Sequence, residues 1–301
     1  MKSQSDTRAL IINFTPTGSI PTKQMTPHVP VSVSEIVEDV HRAHELGITM
    51  VHLHARDSRT GHPTFKAEVY QAVIEGIRSF APDLIICVSL TGRDFNEFEK
   101  RSEVLQLNGK SKPDMGSLTL SSLNFNHQAS INTPDMIKSL AQVMFERGIL
   151  PELEAFDSGM INYAKYLERK GLLEPPHYFN LIVGNIACAQ ADLLHMGVMI
   201  NDLPSQSLWS LGGVGDTQFQ VNAIALVSGG GVRVGLEDTI WYDQNRTRLA
   251  TNPDLLQRIH DLAEATHRPV MSPAILRKHL NLEAGYGRYG RIRTNRGRVD
   301  A

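Results

Sequence analysis

The sequence predicts one closed (β/α)8 TIM barrel, an α/β fold, and three observations carry that expectation. Eight short apolar runs rich in β-branched residues alternate with longer segments of helical period, as in a parallel sheet built from β-α-β units. The alternation occupies about 260 residues, the ordinary extent of such a barrel. No G-x-G-x-x-G follows the first run and no G-x-x-x-x-G-K-[ST] occurs anywhere, so an open doubly wound sheet lacks its phosphate-binding turn.

The expected strands are residues 9–14, 49–54, 84–90, 116–120, 152–156, 179–183, 207–211 and 232–236. Between the first two, Ser32 and Glu35 stand in capping-box spacing, Ile36, Val40 and Ala43 share a helical face, and Gly47 ends the helix. The next helix places Val69, Val73, Ile77 and Phe80 on one stripe. A third opens with Thr133 as N-cap and Pro134 at its first position, turns Met136, Leu140, Val143 and Met144 inward, and stops at Gly148. The barrel is expected to occupy residues 1–283. A basic Gly/Arg-rich tail, 284–301, follows with Arg288, Arg291, Arg293, Arg296 and Arg298; it reads either as a solvated or subunit-clasping segment or as a contact for a phosphorylated ligand such as CoA.

With 301 residues, 41% hydrophobic and 21% charged, the chain has material for a large core and none of the bias of a disordered or fibrous protein. Thirty basic residues against 32 acidic ones give a formal charge of -2, so nothing global favours nucleic acid or an anionic membrane, and small molecules or further subunits are the expected partners. Cys87 and Cys188 sit in apolar stretches and are expected to be buried reduced thiols. The apolar run at 9–12 is too short for a signal-peptide core or a membrane span, which predicts a cytoplasmic protein.

Barrel enzymes draw their reacting groups from strand C-terminal ends and the loops that follow. At the end of the second expected strand, His52 and His54 are two apart, and a strand period of two turns both imidazoles to one side, where they can share a metal. A lone histidine there would more often be structural. On the last strand Arg233 and Glu237 share the inward parity; they read as a structural ion pair, or Glu237 completes a three-ligand zinc site with an open position. Asp238, just beyond, is positioned to act as a base oriented by Arg233. Thr17, Gly18 and Ser19 after the first strand, Ser89 and Thr91 at the third, Ser122 and Asn124 after the fourth, Glu152 and Glu154 on the fifth, and Asn185 after the sixth add polar groups at the same rim.

Taken together, Thr17-Gly18, His52-Leu53-His54, Pro151-Glu152-Leu153-Glu154, Asp157-Ser158-Gly159-Met160 and Val232-Arg233-Val234-Gly235-Leu236-Glu237-Asp238 resemble the β-keto acid cleavage enzyme family, whose founding member is 3-keto-5-aminohexanoate cleavage enzyme. The resemblance runs from about Leu10 to Leu280. It implies a (β/α)8 homotetramer with zinc on His52, His54 and Glu237. The reaction implied is one in which a β-keto acid and acetyl-CoA exchange fragments to give acetoacetate and a new acyl-CoA. On that pattern Asp238, held by Arg233, takes the C2 proton, Ser89 lies near the reacting oxygens, and Glu154 is an acidic group of the site; Thr17, Gly18, Ser122 and Asn124 are placed as substrate contacts. Two departures bear on the substrate. Ile20 stands where the founding member has a glutamate, which removes an anionic partner for a substrate amino group, and Gly231 replaces a residue often polar in relatives, which is expected to open room for a larger chain. Two other readings of the same barrel are an amidohydrolase-like zinc hydrolase and a non-catalytic metal- or ligand-binding protein.

Overall fold

The computed structural model describes residues 9–293. Its strands are β1 (Ile12–Phe14), β2 (Met50–Leu53), β3 (Ile85–Val88), β4 (Met115–Thr119), β5 (Leu123–Asn124), β6 (Ala129–Ser130), β7 (Leu150–Ala155), β8 (His177–Val183), β9 (Ser207–Gly213) and β10 (Gly231–Val234). Eight of them close a barrel in the order β1-β10-β9-β8-β7-β4-β3-β2, all parallel, and β5 with β6 forms a small antiparallel hairpin in the loop after β4. Each expected strand is present in its place. The hairpin was not anticipated; its pairs are two residues long, too short to leave a periodic signal.

The helices are α1 (Val33–Leu46), α2 (Ala67–Phe80), α3 (Phe98–Ser102), α4 (Pro134–Arg147), α5 (Ser158–Arg169), α6 (Leu193–Asn201), α7 (Gln218–Val227), α8 (Asn252–Ala265) and α9 (Pro273–His279). The Ser32–Glu35 capping box forms at α1, which ends at Gly47 in the left-handed region; Thr133 caps α4, which ends at Gly148. On α2 the buried stripe is Tyr70, Val73, Ile74 and Ile77, and on α4 it is Ile137, Leu140, Ala141 and Met144. Val69, Phe80, Met136 and Val143 lie at the edges of those stripes, half-buried, because the core face of each helix is rotated by about one position from the expected one. Cys87 is buried and Cys188 only half-buried, both free.

The barrel interior is stratified. Its lowest layer is apolar, with Ile11, Met50, Ile85, Met115, Leu150 and Tyr178, and Leu276 of α9 with Leu280 just after it plug it from below. Above it the lining turns polar: Asn13, His52, Glu152, Asn180 and Ser210 are all buried. Glu152 on β7 reaches Asn13 on β1 and His52 on β2, neither strand its neighbour, so its side chain crosses the barrel. Tyr178 hydroxyl meets Ser210 Oγ at 2.8 Å, closing the boundary between the layers.

The end of the barrel opposite the strand C-termini is tied by one buried acid. Asp114, fully buried, accepts from Arg78 Nη2 at 2.6 Å, from Arg277 Nη1 and Nη2 at 2.7 and 2.8 Å, and from the Ile86 and Gly290 amides at 3.0 and 3.2 Å. It thereby joins α2, β3, α9 and the chain near Gly290. Tyr289 lies against the Arg78 guanidinium, and Arg291 donates to the carbonyls of Glu174 and Pro175. The described part of the C-terminal tail is thus packed beneath the barrel; Arg296 and Arg298 lie outside the described residues.

Burial raises the cost of the Asp114 charge, but Arg78 and Arg277 outweigh it and hold the carboxyl below its ordinary value. A depressed folded pKa contributes stability that is complete above the unfolded pKa of about 3.9 and is lost as pH falls through the folded value. Asp114→Ala, which strands two buried guanidiniums, is expected to cost about 3–5 kcal/mol in urea unfolding. It should also flatten the loss of stability below about pH 4; a variant as stable as the parent would contradict this role.

Candidate active site

The strand ends on the other side of the barrel bring together the predicted histidines and acids. His52 ends β2's inward register and His54 follows it by two, so both rings enter the interior; they are 1% and 7% exposed. His52 Nδ1 donates to Glu152 Oε2 at 2.5 Å, and Glu152 Oε1 in turn accepts from Asn13 Nδ2 at 2.7 Å. His54 Nδ1 is engaged with Ser19 Oγ at 3.1 Å. With both Nδ1 atoms spent, the two Nε2 atoms face each other at 3.3 Å. Two imidazole nitrogens bound to one tetrahedral zinc through bonds of about 2.0–2.1 Å would stand about 3.3 Å apart. Glu237 Oε1 lies 3.1 Å from His54 Nε2, and Glu237 Oε2 is buried with no hydrogen-bond partner among the described residues. Gly18 permits this approach: its φ is +63°, and a Cβ there would lie 2.6 Å from Glu237 Cγ.

Charge gives the same answer as spacing. Glu152, Glu154, Glu237 and Asp238 gather around Arg233, four carboxylates to one guanidinium, in a region with little solvent. Arg233 Nη2 reaches Glu237 Oε1 at 2.6 Å, while its Nε and Nη2 meet Asp238 Oδ2 and Oδ1 at 3.0 and 3.2 Å. Burial disfavours the Glu237 charge, but Arg233 and the two histidines hold its carboxyl well below the usual range. Burial pushes the carboxyls of Asp238 and Glu154 up, against the pull of Arg233 and, for Glu154, of His52; Thr119 Oγ1 donates to Glu154 at 2.6 Å. Burial also lowers His54, and would lower His52 had Glu152 and Glu237 not outweighed it and held that ring at about 9. The proton kept there sits where a dication would neutralise more of the surrounding charge.

His52, Cys87 and Glu152 form a second set of ligand atoms close enough for a metal. Its atoms are already committed to one another. Cys87 Sγ donates to Glu152 Oε2 at 3.2 Å, and burial followed by the Glu152 charge pushes the thiol pKa well up, which keeps it a thiol and a poor ligand. Neither Cys87 nor Glu152 lines the cavity above, so the set with His54 and Glu237 is the one that meets a ligand.

That cavity, about 320 Å³, opens over His54 and Glu237, with His52 buried behind them. His54, Ser89, Glu154, Arg233, Glu237 and Asp238 line its inner part. Thr17 and Gly18 lie behind Glu237 and do not line it: Thr17 is buried, and the Gly18 carbonyl accepts from Arg56 Nε at 2.8 Å. Ser122 and Asn124 also lie off it, Ser122 Oγ accepting from the Asn132 amide at 2.8 Å and the Asn124 carbonyl from Asn185 Nδ2 at 2.9 Å. Asn185 and Thr91 do line it, with Ile20 at its rim. Gly231 makes no room for a ligand. It begins β10 at the far end of the strand, where a Cβ would lie 2.4 Å from Ser210 Oγ and 2.8 Å from Ile11 Cβ.

The sequence reading passed over Asn13 and named Ser19 and Glu152 only as polar groups of the rim. For Glu152 a signal existed, since it shares the inward parity of Glu154; the pairing of Ser19 with His54 joins residues 35 apart and left none. His177, the first residue of β8, stands at the closed end of the barrel, 3.0 Å from Glu168.

A sequence model of the family described as beta-keto acid cleavage enzyme matches residues 9–282. Over 276 residues the chain is 34% identical to 3-keto-5-aminohexanoate cleavage enzyme of Fusobacterium nucleatum, covering 91% of this chain and 98% of that one. It is 35% identical over 280 residues to 3-oxoadipate:acetyl-CoA acetyltransferase of Cupriavidus necator, with 92% and 96% covered. The apo structure of ObcA superposes with a TM-score of 0.75 at 19% identity, over 85% of this chain and 66% of that one, a likeness of fold.

The geometry predicts about one equivalent of divalent metal per chain, measured by elemental analysis after dialysis. His54→Ala should abolish it. Glu152→Gln, which keeps all three ligands and alters only what holds the His52 ring, should weaken metal affinity by about 10- to 100-fold. Unchanged metal content in both variants would contradict the assignment.

Proposed function

Since the chain belongs to the β-keto acid cleavage enzyme family, we propose that it converts a β-keto acid and acetyl-CoA into acetoacetate and a new acyl-CoA, using zinc held by His52, His54 and Glu237. The observation that carries this reading is the buried contact of Arg233 with both Glu237 and Asp238, which sets a base beside a cation site at the cavity floor. Bound to the three ligands, zinc would supply Lewis-acid polarisation of the substrate's keto and carboxylate oxygens and fix their orientation.

The remaining work falls to the chain. Asp238, its carboxyl raised by burial and its orientation set by Arg233, takes a proton from C2 of the β-keto acid. The carbanion so formed attacks the acetyl carbonyl of the thioester, and CoA leaves as thiolate. The thiolate then adds to the former keto carbon, the bond between that carbon and C2 breaks, and the new acyl-CoA forms as Asp238 returns its proton to C2 of acetoacetate. Ser89 and Glu154 line the same floor, within the space where the oxygens of these species develop charge.

Ile20 supports a substrate without an amino group. It lines the cavity and is 48% exposed, offering an ammonium no anion. The homotetramer is supported by the outer face of α6, where Leu193 and Leu194 are each 73% exposed and Val198 49%, an apolar surface of the kind that subunits cover.

Asp238→Asn is expected to lower acyl transfer by about 10²- to 10⁴-fold while metal content stays at the parent level. Full activity in that variant with metal bound would overturn the mechanism. Among short β-keto acids, neutral or anionic ones should exceed aminated ones in kcat/KM, and Ile20→Glu should shift the ranking toward the aminated substrate. A parent enzyme that prefers the amine would contradict the role given to Ile20.

A further inference from the structure

The cavity wall carries a second guanidinium, one that makes no close ion pair among the described residues. Arg93, in the loop after β3, lines the cavity that holds His54, Glu237 and Asp238. Its guanidinium carbon lies 3.7 Å from the centroid of Phe125, in the β5 hairpin, and Phe125 is braced edge-on by Phe156 at 5.8 Å and 86°. Its Nε is buried and has no hydrogen-bond partner, and its guanidinium makes no ion pair among the described residues. Glu237, Asp94, Glu154 and Asp238 act on its charge, but the close contacts of Glu237 and Asp238 are with Arg233 and that of Glu154 is with Thr119.

A guanidinium stacked on an aromatic face keeps its N–H edge free, and that edge matches a carboxylate in two parallel hydrogen bonds. A half-buried guanidinium whose buried Nε meets no acceptor leaves hydrogen bonds unmade, and a ligand carboxylate would supply the acceptors. The rest of the outer cavity is apolar or neutral, with Ile20, Leu123, Ile182, Ile186 and Val214. Arg93 shares this cavity with His54 and Glu237, so a short acyl chain held there can bring a second carboxylate to it. The cavity, about 320 Å³, suits a short acyl chain.

Building on the function proposed above, we propose that Arg93 is a specificity-determining residue that receives a second, distal carboxylate, so that the substrate class is β-keto dicarboxylic acids. Phe125 and Phe156 hold the guanidinium in place, and Ile20 excludes the corresponding amines.

The test compares short 3-oxo acids of matched length, one ending in carboxylate and the other in methyl, with acetyl-CoA. The parent should favour the carboxylate-ended acid in kcat/KM, and Arg93→Met should compress that ratio by about 10- to 100-fold, the worth of a charge-assisted pair. Arg93→Lys should recover part of it. A general defect would lower both substrates together and leave the ratio standing, which overturns the assignment. A ratio that stands while KM for acetyl-CoA rises also overturns it, by showing that Arg93 meets a phosphate of CoA. Calorimetry with unreactive adipate and hexanoate separates this inference from the reaction itself. If no β-keto acid is turned over but adipate binds at least tenfold tighter than hexanoate, and Arg93→Met removes the difference, the reaction assignment fails and the carboxylate site stands. Equal binding of the two acids to the parent would refute the site.

Discussion

Arg233 stands inside the barrel with its guanidinium shared between Glu237 at 2.6 Å and Asp238 at 3.0 Å, and the arrangement of the open end follows from that placement. Four carboxylates crowded about one guanidinium and the charged His52 ring do not all ionise alike, since burial penalises each charge and each penalises its neighbours. The outcome is a division of roles. Glu237, nearest the guanidinium and the imidazoles, is held as carboxylate; Asp238 and Glu154 are pushed toward protonation; Glu152 is kept charged by its contact with His52, although burial opposes it. The adjacent residues proposed as metal ligand and base, Glu237 and Asp238, are thus given different proton affinities by their surroundings.

That polar cluster is tolerable because the rest of the barrel is not polar. The apolar bottom layer, the plug of α9 and the Asp114 knot secure the closed end independently of the site, so the charges at the open end add function to a scaffold they do not have to hold together. The polar middle layer joins the two. Glu152 spans the interior from β7 to β1 and β2, and by fixing the His52 ring it transmits the rigidity of the barrel to the imidazole pair.

Much of this was legible in the sequence because parallel barrels write their register into it. A strand period of two placed His52 and His54 together, and capping residues marked α1 and α4. Glu237 was assigned by strand parity, yet β10 ends at Val234, so it reaches the histidines from the loop, seated against Gly18. Contacts between residues distant in sequence were not legible. The β5–β6 hairpin, the Arg93 stack on Phe125 and the Ser19 partner of His54 depend on how loops fold over the rim, and loops carry no period. Gly231 misled for a related reason: its place next to a site strand suggested the pocket, whereas it sits at the strand's other end.

The central claim is that a cation bridges His52 and His54 with Glu237, above Glu152 and Cys87 and not among them. X-ray absorption spectroscopy at the metal edge tests it most directly. The account predicts a first shell of nitrogen and oxygen at about 2.0–2.2 Å, with the outer-shell scattering of two imidazoles and no sulfur. A sulfur scatterer at about 2.3 Å would place the ion on Cys87 and contradict it.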